Sequence, residues 1–149
     1  MGAGVLLYCG TQEEQIAWLR AAAAALHFNG VLIIDVPGPA LSLDPATNGQ
    51  PLLVFAGEGR DGDFECWHVH EDDLATQTRW LRVHYDQTDG EGRLRRVSSD
   101  HQLRYVYPFE LQLLLSSAGF GTVDLYGDYD LGPLTNDSDC IIAVARRPE

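Results

Sequence analysis

Apolar residues along this chain change their period twice. Val5 to Tyr8 is an unbroken apolar run, the pattern of a short strand covered on both faces. From Thr11 the spacing becomes helical, with Ile16, Leu19, Ala23 and Leu26 on one stripe and Glu13 and Arg20 pointing elsewhere. Thr11 and Glu14 have the spacing of a capping box, which contributes about 1 kcal/mol at a helix start. Ala21 to Ala25 are strong helix formers, and Asn29-Gly30 is a stop signal. Val31 to Val36, apolar except for Asp35, reads as a second buried strand. Residues 5–36 therefore predict a βαβ crossover with parallel strands and a right-handed connection.

After Pro37-Gly38-Pro39 the composition up to Gln50 is that of a loop, and from Leu52 the period drops to two. Antiparallel strands are predicted over Leu52 to Ala56, Phe64 to His70, Thr78 to Asp86 and Arg93 to Tyr105, the last with a break near Ser99. Asp89-Gly90 is a hairpin signal, and a two-residue loop there places Asp86 opposite Arg93 and Tyr85 opposite Leu94. Pro108 suits a helix's first turn and Gly119 its left-handed end. A leucine-rich helix between them leads to a strand at Thr122 to Tyr126, with Cys140 to Ala145 as its antiparallel partner.

Composition removes several kinds of chemistry. With 149 residues the chain is the size of one domain. A formal charge of −12 argues against a nucleic-acid groove, and Arg93, Arg95 and Arg96 read as a solvated strand face. Every cationic side chain is arginine, which excludes a phosphate-binding P-loop lysine and Schiff-base catalysis. Cys9, Cys66 and Cys140 are odd in number, with no C-x-x-C spacing. With no signal-peptide pattern and no apolar run near the roughly 20 residues of a membrane span, a reducing cytoplasm is the expected location. His68 and His70 share one strand face, but no third ligand stands at diagnostic spacing, so metal binding is not expected. Ser98 to His101 has the letters of a hydrolase triad without its strand-turn-helix context.

Arg104-Tyr105 running into Glu110-Leu111, and the Ala118-Gly119-Phe120 stop that feeds a final hairpin, resemble the C-terminal end of class I S-adenosylmethionine (SAM) dependent methyltransferases. The likeness is nearest to the small-molecule branch that includes sugar N-methyltransferases and glycine N-methyltransferase-like enzymes. Val5 to Gly10, Thr11 to His27 and Val31 to Pro37 look like the fourth strand, following helix and fifth strand of that fold. The resemblance implies an α/β fold: a partial Rossmann-like methyltransferase sheet, βαβ plus a C-terminal antiparallel hairpin, with an antiparallel β-meander inserted. It makes 1–149 one domain, with 1–37 and 106–149 in the main sheet and helices and 51–105 in the meander.

Strands one to three, and the glycine-rich turn that cradles SAM, have no counterpart in the sequence. Gly2-Ala3-Gly4 is G-x-G in letters only, since it precedes its strand and opens no helix. The resemblance thus implies methyl transfer to a small-molecule acceptor, with SAM held in the intact enzyme but not tightly by this chain alone. The alternative is a non-catalytic binding or assembly module, or an inactive fragment. Expected partners are the acceptor and either a second copy, docked through the edge of the first strand, or a missing N-terminal half. By resemblance, and because open sheets bind ligands beyond the carboxyl ends of their strands, the acceptor side takes in Tyr8, Cys9 and Asp35, the last as a general base or ligand holder; the alternative is that Tyr8 and Cys9 finish a buried strand and Asp35 caps a helix or turn. Arg104, Tyr105, Tyr126 and Asp128 form a second set, with Tyr129 beside it. In this set an arginine grips an acceptor carboxylate or phosphate and Asp128 takes a hydroxyl or ammonium, or else the group ties the last hairpin to the helix.

Overall fold

The computed structural model describes residues 4–38, 46–59 and 62–149. They fall into two compact units, Met1–Ser42 with Arg104–Glu149, and Leu43–Leu103.

In the first unit the opening apolar run is not a strand. Val5–Tyr8 forms a 3₁₀ helix entered through Gly4 at φ 66°, with Leu6 and Leu7 buried and Val5 and Tyr8 exposed. Burial of two adjacent leucines explains the correction: a tight turn puts both on one side, whereas a strand would send them to opposite faces. No parallel βαβ pair therefore forms among the described residues, and the strand edge expected at Val5 to Tyr8 for a second copy does not exist. The turn still lies against the next strand, because the Gly4 N–H donates to the Asp35 carbonyl at 3.2 Å.

Helix α1 (Gln12–Ala25) begins with the expected capping box, in which Thr11 Oγ1 accepts from the Glu14 N–H and Glu14 accepts from the Thr11 N–H. Its far end is closed by Arg147, which donates to the carbonyls of Ala23, Ala24 and Leu26 and lies 5.0 Å over the Phe28 ring. Strand β1 (Val31–Pro37) then pairs antiparallel with β7 (Cys140–Arg146), and β7 with β6 (Thr122–Tyr126). The order is β1-β7-β6. Helix α2 (Pro108–Ser117) carries Pro108 in its first turn. It ends in a Schellman motif, where Gly119 at φ 102° donates to Ser116 and Phe120 to Leu115. One sheet face, with Ile34, Val36, Ile141, Ala143 and Ala145, is buried as are Leu19, Leu111, Leu114 and Leu115 of the helices. The other face carries Ile33, Asp35, Ile142 and Tyr126.

The second unit is an antiparallel meander, β2 (Leu52–Gly59), β3 (Gly62–Asp73), β4 (Thr78–Thr88) and β5 (Leu94–Arg104), in that order. β2, β3 and β4 run past the predicted limits, whereas β5 stops one residue short at each end and is unbroken at Ser99. The β4–β5 turn corrects the expected register. The Asp89 N–H donates to the Arg93 carbonyl and Gly92, at φ 79°, donates to Asp89, so the loop holds three residues, not two. Side chains consequently meet as Asp86–Arg96, His84–Ser98 and Arg82–Asp100, at 2.6, 2.7 and 2.6 Å. Across β3–β4, Asp72 stands opposite Arg79 and receives it on both oxygens, at 2.6 and 2.7 Å. The loop expected between Pro37 and Gln50 lies outside the described residues from 39 to 45, as do Gly2 and Ala3.

Candidate functional site

Asp35 is the penultimate-but-one residue of β1, opposite Ile142, while Ile34 and Val36 on either side point into the core. Strand alternation therefore aims its carboxylate away from the helices. Pro37 pairs with Cys140, and the Gly38 N–H donates to the Asp139 carbonyl at 2.8 Å, tying the end of β1 to the start of β7. In the same row across the sheet, Ile142 is followed by Tyr126 of β6.

The segment between β6 and β7 brings the decisive group. Asp128 Oδ1 accepts from the backbone N–H groups of Asp130 and Gly132 at 2.9 and 2.8 Å. Leu131 takes φ 62°, and a Cβ at Gly132 would collide with that carboxylate. One oxygen of Asp128 is thus spent on folding its own loop. The loop presents Tyr129, whose hydroxyl donates to Asp35 Oδ2 at 2.5 Å although 74% of the residue is exposed. The hydrogen bond to Asp35, and then that group's charge, push the phenol's pKa above its ordinary value. Asp35 Oδ1 is buried and has no hydrogen-bond partner among the described residues.

The thiols are not nucleophiles here. Burial first, and then Asp128, Asp35 and Asp139, push Cys140 up, and its Sγ donates to the Gly127 carbonyl at 3.5 Å. Burial and Glu14 likewise raise Cys9, which caps the 3₁₀ helix next to the exposed Tyr8. Both remain protonated at neutral pH, when only a thiolate attacks.

Arg104 and Tyr105 do not join this group. Arg104 is buried, donating to Gln15 Oε1 and Glu110 Oε1, both at 2.6 Å, while Gln15 Nε2 donates back to the Arg104 and Leu6 carbonyls. The guanidinium faces inward and, through Gln15 and Glu110, ties α1, α2 and the 3₁₀ helix together, the structural role left open for it beside acceptor binding. Pairing of Arg104 with Glu110 also accounts for why those two residues stand together in the sequence motif. Tyr105 packs edge-on against Tyr107, ring centres 5.9 Å apart. Gln15, fully buried in the helical stripe, was invisible to a pattern of apolar residues. Glu110 was present in the motif but carried no assigned role.

A cleft of about 440 Å³ opens between α2 and β6, lined by Phe109, Gln112, Leu125 and Leu134 among others. Leu125 stands opposite Ala143, which in turn stands opposite Ile34, so this cleft lies on the helix-covered face, away from Asp35. No cluster able to hold a metal ion occurs among the described residues. No described helix is long and apolar enough to cross a membrane.

No protein-family model matches the sequence, and no curated protein matches it. Solved structures do match its fold. The CcbJ methyltransferase from Streptomyces caelestis is 24% identical with a TM-score of 0.76, over 99% of this chain and 55% of that one. The sugar N-methyltransferase KedS8 from Streptoalloteichus sp. is 21% identical with a TM-score of 0.72, over 99% and 54%. The SAM-bound amino pentose methyltransferase CalS10 from Micromonospora echinaspora is 16% identical with a TM-score of 0.71, over 98% and 56%. The chain thus spans a little over half the length of the structures it matches, and its fold is that of the C-terminal part of SAM-dependent methyltransferases.

Proposed function

We propose that this chain supplies the acceptor-side half of a methyltransferase that moves a methyl group from SAM to a small molecule bearing an amine. One observation carries the reading: the match to such enzymes runs through 98–99% of the chain, at TM-scores of 0.71 to 0.76. The amine follows from the chemistry at the end of β1, where a carboxylate and a phenol meet and no described arginine or lysine pairs with the acid. Asp35 holds an amine by its N–H groups, and accepts its proton when the amine must be neutral to attack. Tyr129, kept protonated, donates. Alignment of donor and acceptor is the main source of acceleration in such a displacement.

The cofactor is another matter. Among the described residues no strand runs into a glycine-rich turn that opens a helix. The one helix near the start, α1, has its first turn closed by its own Thr11–Glu14 box. These residues do not fit SAM, and the cradle in this proposal comes from outside the chain. In this proposal the protein works in the cytoplasm, and its partner is the half that carries the cradle.

Calorimetry of the 149-residue chain with SAM and S-adenosylhomocysteine tests the division of labour, and silence at micromolar concentration is the expected result. Labelled methyl transfer from SAM to a panel of amino sugars and small amines is expected once a chain bearing the glycine-rich half is added. Absence of transfer throughout would favour the second reading, a non-catalytic binding or assembly module, which the coverage of only 54–56% of the matched chains supports.

A further inference from the structure

We propose that Asp35 is a binding site for a protonated amine, and that the Tyr129 hydroxyl holds the site closed until that cation displaces it. This deepens the acceptor-side reading and rests on it for the amine's role as substrate, while the binding itself follows from the geometry.

The two oxygens of Asp35 have unequal lives. Oδ2 takes the Tyr129 O–H at 2.5 Å. With the phenol in place, Oδ1 is out of reach of water and has no donor among the described residues. A buried acceptor left in that condition is destabilising, and a native structure that keeps one calls for an explanation, among them a ligand that supplies the donor. Tyr129 cannot serve both oxygens, because a phenol has one proton to give. An ammonium group has three N–H donors on a compact cation, enough to replace the phenol on Oδ2 and to supply Oδ1 as well. Both bonds would then join opposite charges, whereas the phenol's bond to Oδ2 is charged on the carboxylate side only.

Charge selects in the same direction. Asp35, Asp128 and Asp139 all act on the Cys140 thiol, so the end of β1 sits in a negative field with no arginine among the described ion pairs to offset it. A carboxylate ligand is repelled there, and an alcohol offers no more than the phenol already does. Tyr129 is mostly in solvent, and its loop is folded by Asp128, not by Tyr129 itself. The phenol is therefore free to swing off without unpacking the core.

The test uses the 15N-labelled 149-residue chain titrated with n-butylammonium, with n-butanol and butyrate as size-matched controls. Saturable shifts at the Asp35 and Tyr129 amides are expected with the ammonium alone. Asp35→Asn should weaken binding about tenfold or more, the worth of a charge-assisted contact. Tyr129→Phe, which removes the competing O–H, should bind more tightly. Absorbance titration checks the closed state independently: the native chain should show a phenol step held above the ordinary tyrosine value by the Tyr129 bond to Asp35, and both variants should abolish that step. Dispersed amide spectra of the two variants confirm that they are folded. Equal shifts with butanol, or undiminished binding by Asp35→Asn, would overturn the site, and weaker binding by Tyr129→Phe would overturn the displacement. Because no SAM is present, this result and the methyl-transfer result fail or succeed separately.

Discussion

Unit 1 and unit 2 are both built on antiparallel sheet, yet they are held by different forces. In unit 1 helices α1 and α2 cover one face of β1-β7-β6, and Leu6, Leu19, Leu111, Leu115, Ile141 and Ala143 lose nearly all contact with water. In unit 2, of the hydrophobic side chains described, only Val83 is equally hidden. Its strands are instead laced by Asp72–Arg79, Asp86–Arg96 and Arg82–Asp100, whose exposure ranges from 6% to 58%. A cross-strand pair is worth roughly 0.2–1 kcal/mol, against 2–5 kcal/mol for a buried leucine truncated to alanine. Stability is thus concentrated in the unit that presents Asp35.

The contrast is easiest to break in the helical core. Leu115→Ala, at a site with no exposure, is expected to cost about 4 kcal/mol. Amide exchange should show the loss in α1, α2 and β7 while β3 and β4 keep their protection. Equal loss in both units would mean that they unfold as one and that the distinction is empty. Arg104→Met removes the partner of Gln15 and Glu110 and should cost about 3 kcal/mol in urea denaturation. A change in ligand response with unaltered stability would instead return Arg104 to the binding surface.

Acid probes unit 2 more gently. His68 and His70 are pushed below the ordinary histidine value, first by burial and then by neighbouring charges, Arg79 among them, with Asp72 opposing at His70. The unfolded chain therefore binds protons first as pH falls, so stability declines from about pH 6.5 downward until the folded histidines also titrate. Asp86 and Asp100, depressed by hydrogen bonds from Arg96 and Arg82, lose their contribution only at lower pH, below the ordinary carboxylate value. The urea midpoint of unit 2 is expected to be lower at pH 5.5 than at 7.5, with a smaller difference in His70→Gln. A flat profile in the native chain would rule out the histidine effect. Smallest of the set is Thr11→Ala, which opens the capping box of α1 and should cost about 1 kcal/mol, read from thermal unfolding.

Local sequence determined this protein wherever a few adjacent residues settle the backbone. The Thr11–Glu14 box, the Pro108 start and Gly119 stop of α2, the β6–β7 pairing and the alternation of the meander strands were all legible, because capping, φ restriction and side-chain period act within one or two turns. Placement of Asp35 at the end of β1 followed from the same rules. Tertiary structure decided the rest. Whether Val5 to Tyr8 became strand or 3₁₀ helix depended on which surface would take Leu6 and Leu7 together. The true register of Asp86 with Arg96 turned on a left-handed Gly92 and a pairing that Asp89-Gly90 alone leaves open. Arg104 faces inward because Gln15, 89 residues away, offers its buried amide. Tyr129 meets Asp35 across 94 residues because β7 stands between β6 and β1. Contacts of that separation are fixed by packing and chain topology, which no local pattern of apolar and polar residues encodes.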